Sequence, residues 1–149
     1  MNATFRWPVR IYYEDTDTGG VVYYANYLKF FERARTEWLR SAGISQQLMI
    51  EQENVMFVVK STAIDYHAPA KLDDAVEISL TAEKLGRASV NFSQAAWRIG
   101  DAGSELLCFG QIRIGCIDAV SLRPTAIPAI VLQKIKGLIT KGPHRISDQ

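Results

Sequence analysis

Histidine is nearly missing from this chain: 149 residues hold two, His67 and His144. Neither stands in an acid-rich motif, so a histidine-based triad is not expected. Both read as structural or surface residues. Cysteine is as scarce. Cys108 and Cys116 share one apolar stretch, with no CxxC and no paired histidines beside them. That spacing supports neither a zinc site nor a disulfide framework; small buried strand residues are the plainer reading. No GxSxG elbow is present, so Ser61 and Thr62 read as strand residues. Gly-rich phosphate loops are absent too. The formal net charge is only +1, which offers no global attraction to nucleic acid or membrane. An anionic ligand therefore needs a local basic cluster. No apolar run approaches the ~20 residues of a membrane helix. The first residues lack a basic region followed by an apolar run, so a signal peptide is not expected. A cytoplasmic location follows as the expectation, and reduced thiols suit it.

What is present is an ordinary globular composition, 48% hydrophobic and 22% charged, at a length that fits one domain with its own core. We expect a single unit over 1–149, with its core at about 5–128. Phe5, Trp7, Val9, Ile11 and Tyr13 alternate with polar residues, as in a strand with one buried face. Pro8 points to an edge position. Glu14 to Gly20 is turn chemistry. From Tyr23 to Ala42, Tyr27, Phe31, Ala34, Trp38 and Ala42 recur at helical steps, and Gly43 stops the helix. Arg33 and Glu37 are spaced to pair across one turn. Aromatics outside that stripe (Tyr23, Tyr24, Phe30) predict burial on more than one face. A short helical piece over Ser45–Glu53 is expected next.

Four strands follow. They run over Val55–Tyr66, around Val76–Leu80, through Val90, Phe92 and Ala96, and through Leu106, Cys108, Ile112, Ile114 and Cys116. Gly86-Arg87 and Gly100 to Gly103 mark hairpin tips. Ile130–Ile139 reads as a tail helix and Lys141–Gln149 as a frayed end. Strand, long helix, then four hairpin-linked strands make an α+β domain. One helix on one sheet leaves edges exposed, which edge-to-edge dimerisation would cover.

The informative stretch runs from Tyr13 to Tyr27. Glu14, Asp15 and Asp17 crowd one turn before a helix whose N-terminus offers free N–H groups and a positive dipole end. Such an end can hold a developing oxyanion, and a carboxylate beside it can attack a carbonyl or activate water. Taken singly, each acid also reads as a cap or an Asx-turn residue. A divalent metal on Asp15 and Asp17 lacks further ligands, so no metal and no cofactor is expected.

This stretch resembles the D-x-D-x-x-G-x-V-x-x-x-N-Y signature of 4-hydroxybenzoyl-CoA thioesterase-like hot-dog proteins. Tyr13-Glu14-Asp15-Thr16-Asp17, Gly19-Gly20-Val21-Val22-Tyr23 and Glu32-Arg33-Ala34-Arg35-Thr36-Glu37 look more closely like the Tol-Pal system-associated acyl-CoA thioesterases of Gram-negative bacteria. The similarity continues through Phe57-Val58-Val59, Tyr66 with Ala68-Pro69-Ala70, Leu72-Asp73-Asp74 and Arg123-Pro124. The resemblance implies a hot-dog fold, a five-stranded antiparallel sheet wrapped around one long central helix. It implies hydrolysis of a short- to medium-chain or aromatic acyl-CoA, with Asp17 as nucleophile or general base. Gly20 and the following turn would bring the thioester carbonyl to backbone N–H groups, that of Tyr24 foremost. Many of those relatives carry His where Tyr24 stands, which removes an imidazole role and leaves the backbone role. Lys84, Arg87 and Ser89, at the Gly86 turn, match a region that holds the nucleotide in hydroxybenzoyl relatives; solvated hairpin charges are the plain alternative. A homodimer pairing into a tetramer is also implied. Two other readings stay open: a dehydratase, disfavoured by the missing histidine, and a non-catalytic protein that docks acyl carrier protein or envelope components.

Overall fold

A computed structural model describes residues 2–142; His144 and the tail beyond Gly142 lie outside them. Strand β1 (Thr4–Arg10) keeps the expected alternation, with Val9 buried, Phe5 and Trp7 half-buried, and Arg6 and Arg10 exposed. Tyr13 departs from it and is 82% exposed. The chain has left the strand by then and coils into a single tight turn, Tyr13–Asp15. Among the described residues β1 pairs only with β3 (Ala75–Leu85), so Pro8 does lie on an edge strand.

β2 (Val55–Tyr66), β4 (Ser89–Gly100) and β5 (Gly103–Asp118) complete one antiparallel sheet in the order β1-β3-β4-β5-β2. The hairpins turn at Gly86–Ala88 and Asp101–Ala102, where glycine marked them. Irregularities in register interrupt the ladders. Ala96 faces Cys108 and Trp97 faces Leu106, which leaves Leu107 as an extra residue in β5. Such a bulge re-aims side chains and bends its strand. Leu107 and Cys108 are therefore both fully buried, while Leu106 is half-buried.

Helix α1 spans Asn26–Arg40, shorter at both ends than the periodicity suggests. The N–H groups of Asn26 and Tyr27 bond to the carbonyls of Tyr23 and Tyr24 (2.9 and 3.2 Å), so Tyr23–Ala25 form a tight entry turn outside the helix. Tyr27, Phe30, Phe31, Ala34, Trp38 and Leu39 are buried, an arc wide enough for a central helix. α1 packs across β1, β3 and β4. Glu37 meets Arg40 rather than Arg33, whose guanidinium lies 5.8 Å from the Phe30 ring centre. The helix seats closely on the sheet because β5 carries glycine beneath it. A methyl on Gly110 would stand 3.2 Å from the Phe31 ring and 2.9 Å from Ile64. Gln94, on β4, spans the same gap. Its amide donates to the Phe31 carbonyl (3.0 Å) and its oxygen accepts from Arg35 (2.9 Å). Burial pushes the Arg35 guanidinium down to about 10.

Beyond α1, Ser45 caps a short helix, α2 (Gln46–Leu48), which widens into a turn over Met49–Glu53. Helix α3 (Ala129–Lys141) follows Pro128 and buries Val131, Ile135 and Leu138. Lys141 ends that helix rather than opening a tail.

Both cysteines are buried. Desolvation drives the Cys108 thiol up to about 12 and raises Cys116 as well. Protonated, enclosed thiols are poor nucleophiles. The native protein is expected to give no prompt reaction with a chromogenic disulfide reagent, whereas the chain unfolded in guanidinium should titrate both thiols. Fast labelling of the folded protein would contradict this burial.

Candidate active site

The acidic turn is built by its own backbone. Asp15 accepts the Tyr12 N–H through its carboxylate (2.8 Å). Its carbonyl takes both the Tyr23 N–H (3.3 Å) and the Asn26 side-chain amide (2.8 Å), tying the turn to the entrance of α1. Asp15 thus shapes the turn. Thr16 bridges Val22, and the Asp17 N–H bonds to the Val21 carbonyl at 2.9 Å, so residues 16 to 22 form a small loop. Gly20 closes it. Its N–H donates to the Asp17 carbonyl (3.0 Å) at φ +78°, a conformation that glycine takes without steric penalty.

On this loop the Asp17 side chain is exposed. One oxygen, Oδ1, accepts the Gly19 N–H at 2.9 Å, an Asx-turn contact. Among the described residues Oδ2 has no hydrogen-bond partner. The cap reading is thus half realised: Asp17 braces its own turn with one oxygen and presents the other outward. No side chain caps α1, whose N-cap is Ala25. With the Asn26 and Tyr27 N–H groups engaged in the entry turn, those of Tyr24 and Ala25 meet no acceptor among the described residues. They are the free donors of this helix end.

Tyr24 also opens an apolar depression of about 480 Å³, walled by Val22, Tyr27, Tyr66, His67 and Pro69. Three tyrosines line it: Tyr24 meets Tyr66 edge to face with ring centres 5.7 Å apart, and Tyr27 lies tilted against Tyr66 at 5.8 Å. The sequence reads His67 as a structural or surface residue; it is exposed, and it stands on this wall, where the sequence did not place it. The signal that escaped it is spatial, since β2 returns Tyr66 and His67 to the entrance of α1 from about 40 residues away.

Lys84, Arg87 and Ser89 do cluster, but elsewhere. Lys84 and Arg87 are exposed and Ser89 is half-buried around the β3–β4 turn, closed by the Gly86 N–H to the Ser89 carbonyl at 2.8 Å. Register fixes where that turn lies. Arg10, which leads into the acidic loop, pairs with Ala75 at the start of β3, whereas Leu85 pairs with Val90 at its end. At ~3.3 Å per residue the two ends of β3 are about 30 Å apart. One chain therefore holds its acidic turn and its basic turn at opposite ends of the sheet. Lys60, missed in the sequence, adds to the basic end: its stem lies across Gly115, the residue opposite Ser89.

A five-stranded antiparallel sheet packed on one long helix, with an acidic turn at that helix's entrance, defines an α+β domain of the hot-dog type. The chain belongs to the thioesterase superfamily, whose family model matches residues 19–104. Among its relatives is the acyl-CoA thioester hydrolase YbgC of Escherichia coli O6:H1, 45% identical over 91% of this chain and 99% of that protein. The acyl-CoA thioesterase YbgC of Haemophilus influenzae is 44% identical over 86% of this chain and 91% of its own. Similar in structure are a 1,4-dihydroxy-2-naphthoyl-CoA thioesterase from Synechocystis (TM-score 0.79, 25% identity, 91% and 94% of the two chains) and a 4-hydroxybenzoyl CoA thioesterase (TM-score 0.81, 18% identity, 88% and 97%). The latter likeness is one of fold. No described helix is long and apolar enough to cross a membrane.

Proposed function

We propose that this chain hydrolyses acyl-CoA thioesters, with Asp17 as the reacting carboxylate and the Tyr24 N–H as the oxyanion donor. The observation that carries the reading is an exposed carboxylate with one uncommitted oxygen, on the loop that leads into a helix entrance whose Tyr24 and Ala25 amides are free, with Tyr24 also lining an apolar depression. A thioester carbonyl is electrophilic enough for this minimal set. As nucleophile, Asp17 adds to the carbonyl carbon, the C–S bond breaks, CoA leaves as thiolate and takes a proton, and water cleaves the mixed anhydride to free acid and carboxylate. As general base, Asp17 instead takes the proton of an attacking water. In both routes the tetrahedral oxygen gains charge and preorganised N–H dipoles stabilise it.

The basic turn is read as the CoA phosphate site, served by Lys84, Arg87 and Ser89. Because it lies at the far end of its own sheet, it would serve the acidic turn of a second copy. β2 offers the means. Among the described residues its outer edge is unpaired, and Val59 to Ala63 are all exposed. Antiparallel pairing of two β2 edges about a two-fold axis sets the basic end of one sheet beside the acidic end of the other.

Thiol release measured over a series of acyl-CoA chain lengths, together with an acyl carrier protein thioester, tests the activity. Release of CoA supports it. Water loss without thiol indicates dehydration, and binding without either reaction indicates a docking protein. Replacing Lys84 and Arg87 together by Ala is expected to raise KM about tenfold or more at low salt with kcat little changed, since phosphate contacts supply binding shared by ground and transition states. An unchanged KM would remove the phosphate assignment.

A further inference from the structure

We infer that Tyr27 and Arg98 are positioning residues for Asp17, acting through the Pro69–Asp74 segment; the inference rests on the catalytic reading of Asp17. The acidic loop does not stand alone. The Val22 N–H bonds to the Ala70 carbonyl (2.8 Å), and Val21 bridges Lys71. Val21 and Val22 are the residues that close the loop on Asp17 and Thr16. The loop is thus a strip laid against residues 70 and 71, and its place is the place of that segment.

Two side chains from distant elements hold the segment. Tyr27, 2% exposed on the first turn of α1, accepts the Ala70 N–H with its phenolic oxygen at 3.0 Å. Ala70 is fully buried, so this oxygen takes a donor that water cannot reach. Arg98, near the end of β4, reaches the same segment from the other side. It donates to the Pro69 carbonyl, to Asp74 Oδ2 (2.9 Å) and to Glu105. Asp74 in turn accepts the Lys71 N–H (2.8 Å), and its carbonyl accepts the N–H of Ile11, two residues before the acidic turn. Burial acts to raise the Asp74 carboxyl, but the Lys71 N–H and the Arg98 guanidinium outweigh it and hold the group below the usual carboxylate range.

The entry turn and the first turn of α1 therefore carry both parts of the site. Tyr24 offers the free amide, and Tyr27, three residues on, fixes the segment that fixes the carboxylate. Their separation is set through one chain of hydrogen bonds, Tyr27 to Ala70 to Val22 to the Asp17 loop. Neither Tyr27 nor Arg98 touches the reacting atoms in this scheme.

The test is a double-mutant cycle of Tyr27→Phe and Arg98→Gln, each alone and with Asp17→Asn, read as CoA release from butyryl-CoA and benzoyl-CoA. Each single variant that melts cooperatively should lose about 10- to 100-fold in kcat, the scale of a small misplacement. KM should stay within about twofold. Neither should lower the residual rate of Asp17→Asn any further. Wild-type kcat in a folded Tyr27→Phe or Arg98→Gln, or an equal loss in the Asp17→Asn background, would overturn the positioning role alone. Full activity in Asp17→Asn would overturn the catalytic reading first and this inference with it. Should Tyr27→Phe fail to fold, Arg98→Gln decides the question, because the carbonyl it releases is exposed.

Discussion

Asp17→Asn is expected to lower kcat by about 10²–10⁴-fold with no loss of thermal stability. The substitution is nearly isosteric, and its side-chain oxygen can keep the Gly19 N–H contact that Asp17 Oδ1 makes at 2.9 Å. The turn, its Gly20 closure and the Val21 pairing then survive. What disappears is the charge on the outward oxygen. A neutral amide neither attacks a thioester carbonyl nor takes a proton from water. Kinetics on an acyl-CoA, beside thermal melting of both proteins, check this. A variant with normal turnover would strip the side chain of any catalytic part and leave it an Asx-turn residue.

Trp38→Ala is expected to cost about 3–5 kcal/mol, a large share of the roughly 5–15 kcal/mol that holds a typical domain together. Trp38 is 2% exposed, and its ring stands edge-on to Phe92 with centres 5.2 Å apart. It also forms part of the wall of an existing cavity of about 150 Å³, shared with Phe57, Val90, Ile114 and Ile135. Removing the indole joins a new void to that one, and rigid strands on one side limit collapse. The melting temperature should fall by about 10 °C. A shift of only a degree or two would mean that the helix resettles and fills the space.

Much of this architecture was legible in the chain. Alternation found β1 and β3, glycines found the hairpin tips, and three- and four-residue spacing found the buried face of α1, because each signal is local. The entry turn was not legible. Tyr23–Ala25 carry the same aromatic pattern as the helix, and no capping side chain separates them from it. The bulge at Leu107 was hidden for a related reason, since one extra residue leaves composition intact while reversing which neighbour faces inward. Within the site, the acidic turn and Gly20 stood out as motif chemistry. Arg98 and Asp74 did not, because they are 24 positions apart and nothing in either neighbourhood names the other. Lys84, Arg87 and Ser89 share the Gly86 turn in sequence as in space, yet sequence order conceals that this turn sits at the far end of the sheet from Asp17.

Gly110 carries a consequence for engineering the helix interface. The depth to which α1 sinks is governed by a vacancy where every other residue type would place a carbon. Filling it would act like a shim under a lever. The helix axis would lift, and the aromatic row and the donor pair at its entrance would travel with it. The geometry of the proposed site is thus calibrated from below, by a position beneath the helix rather than at its entrance.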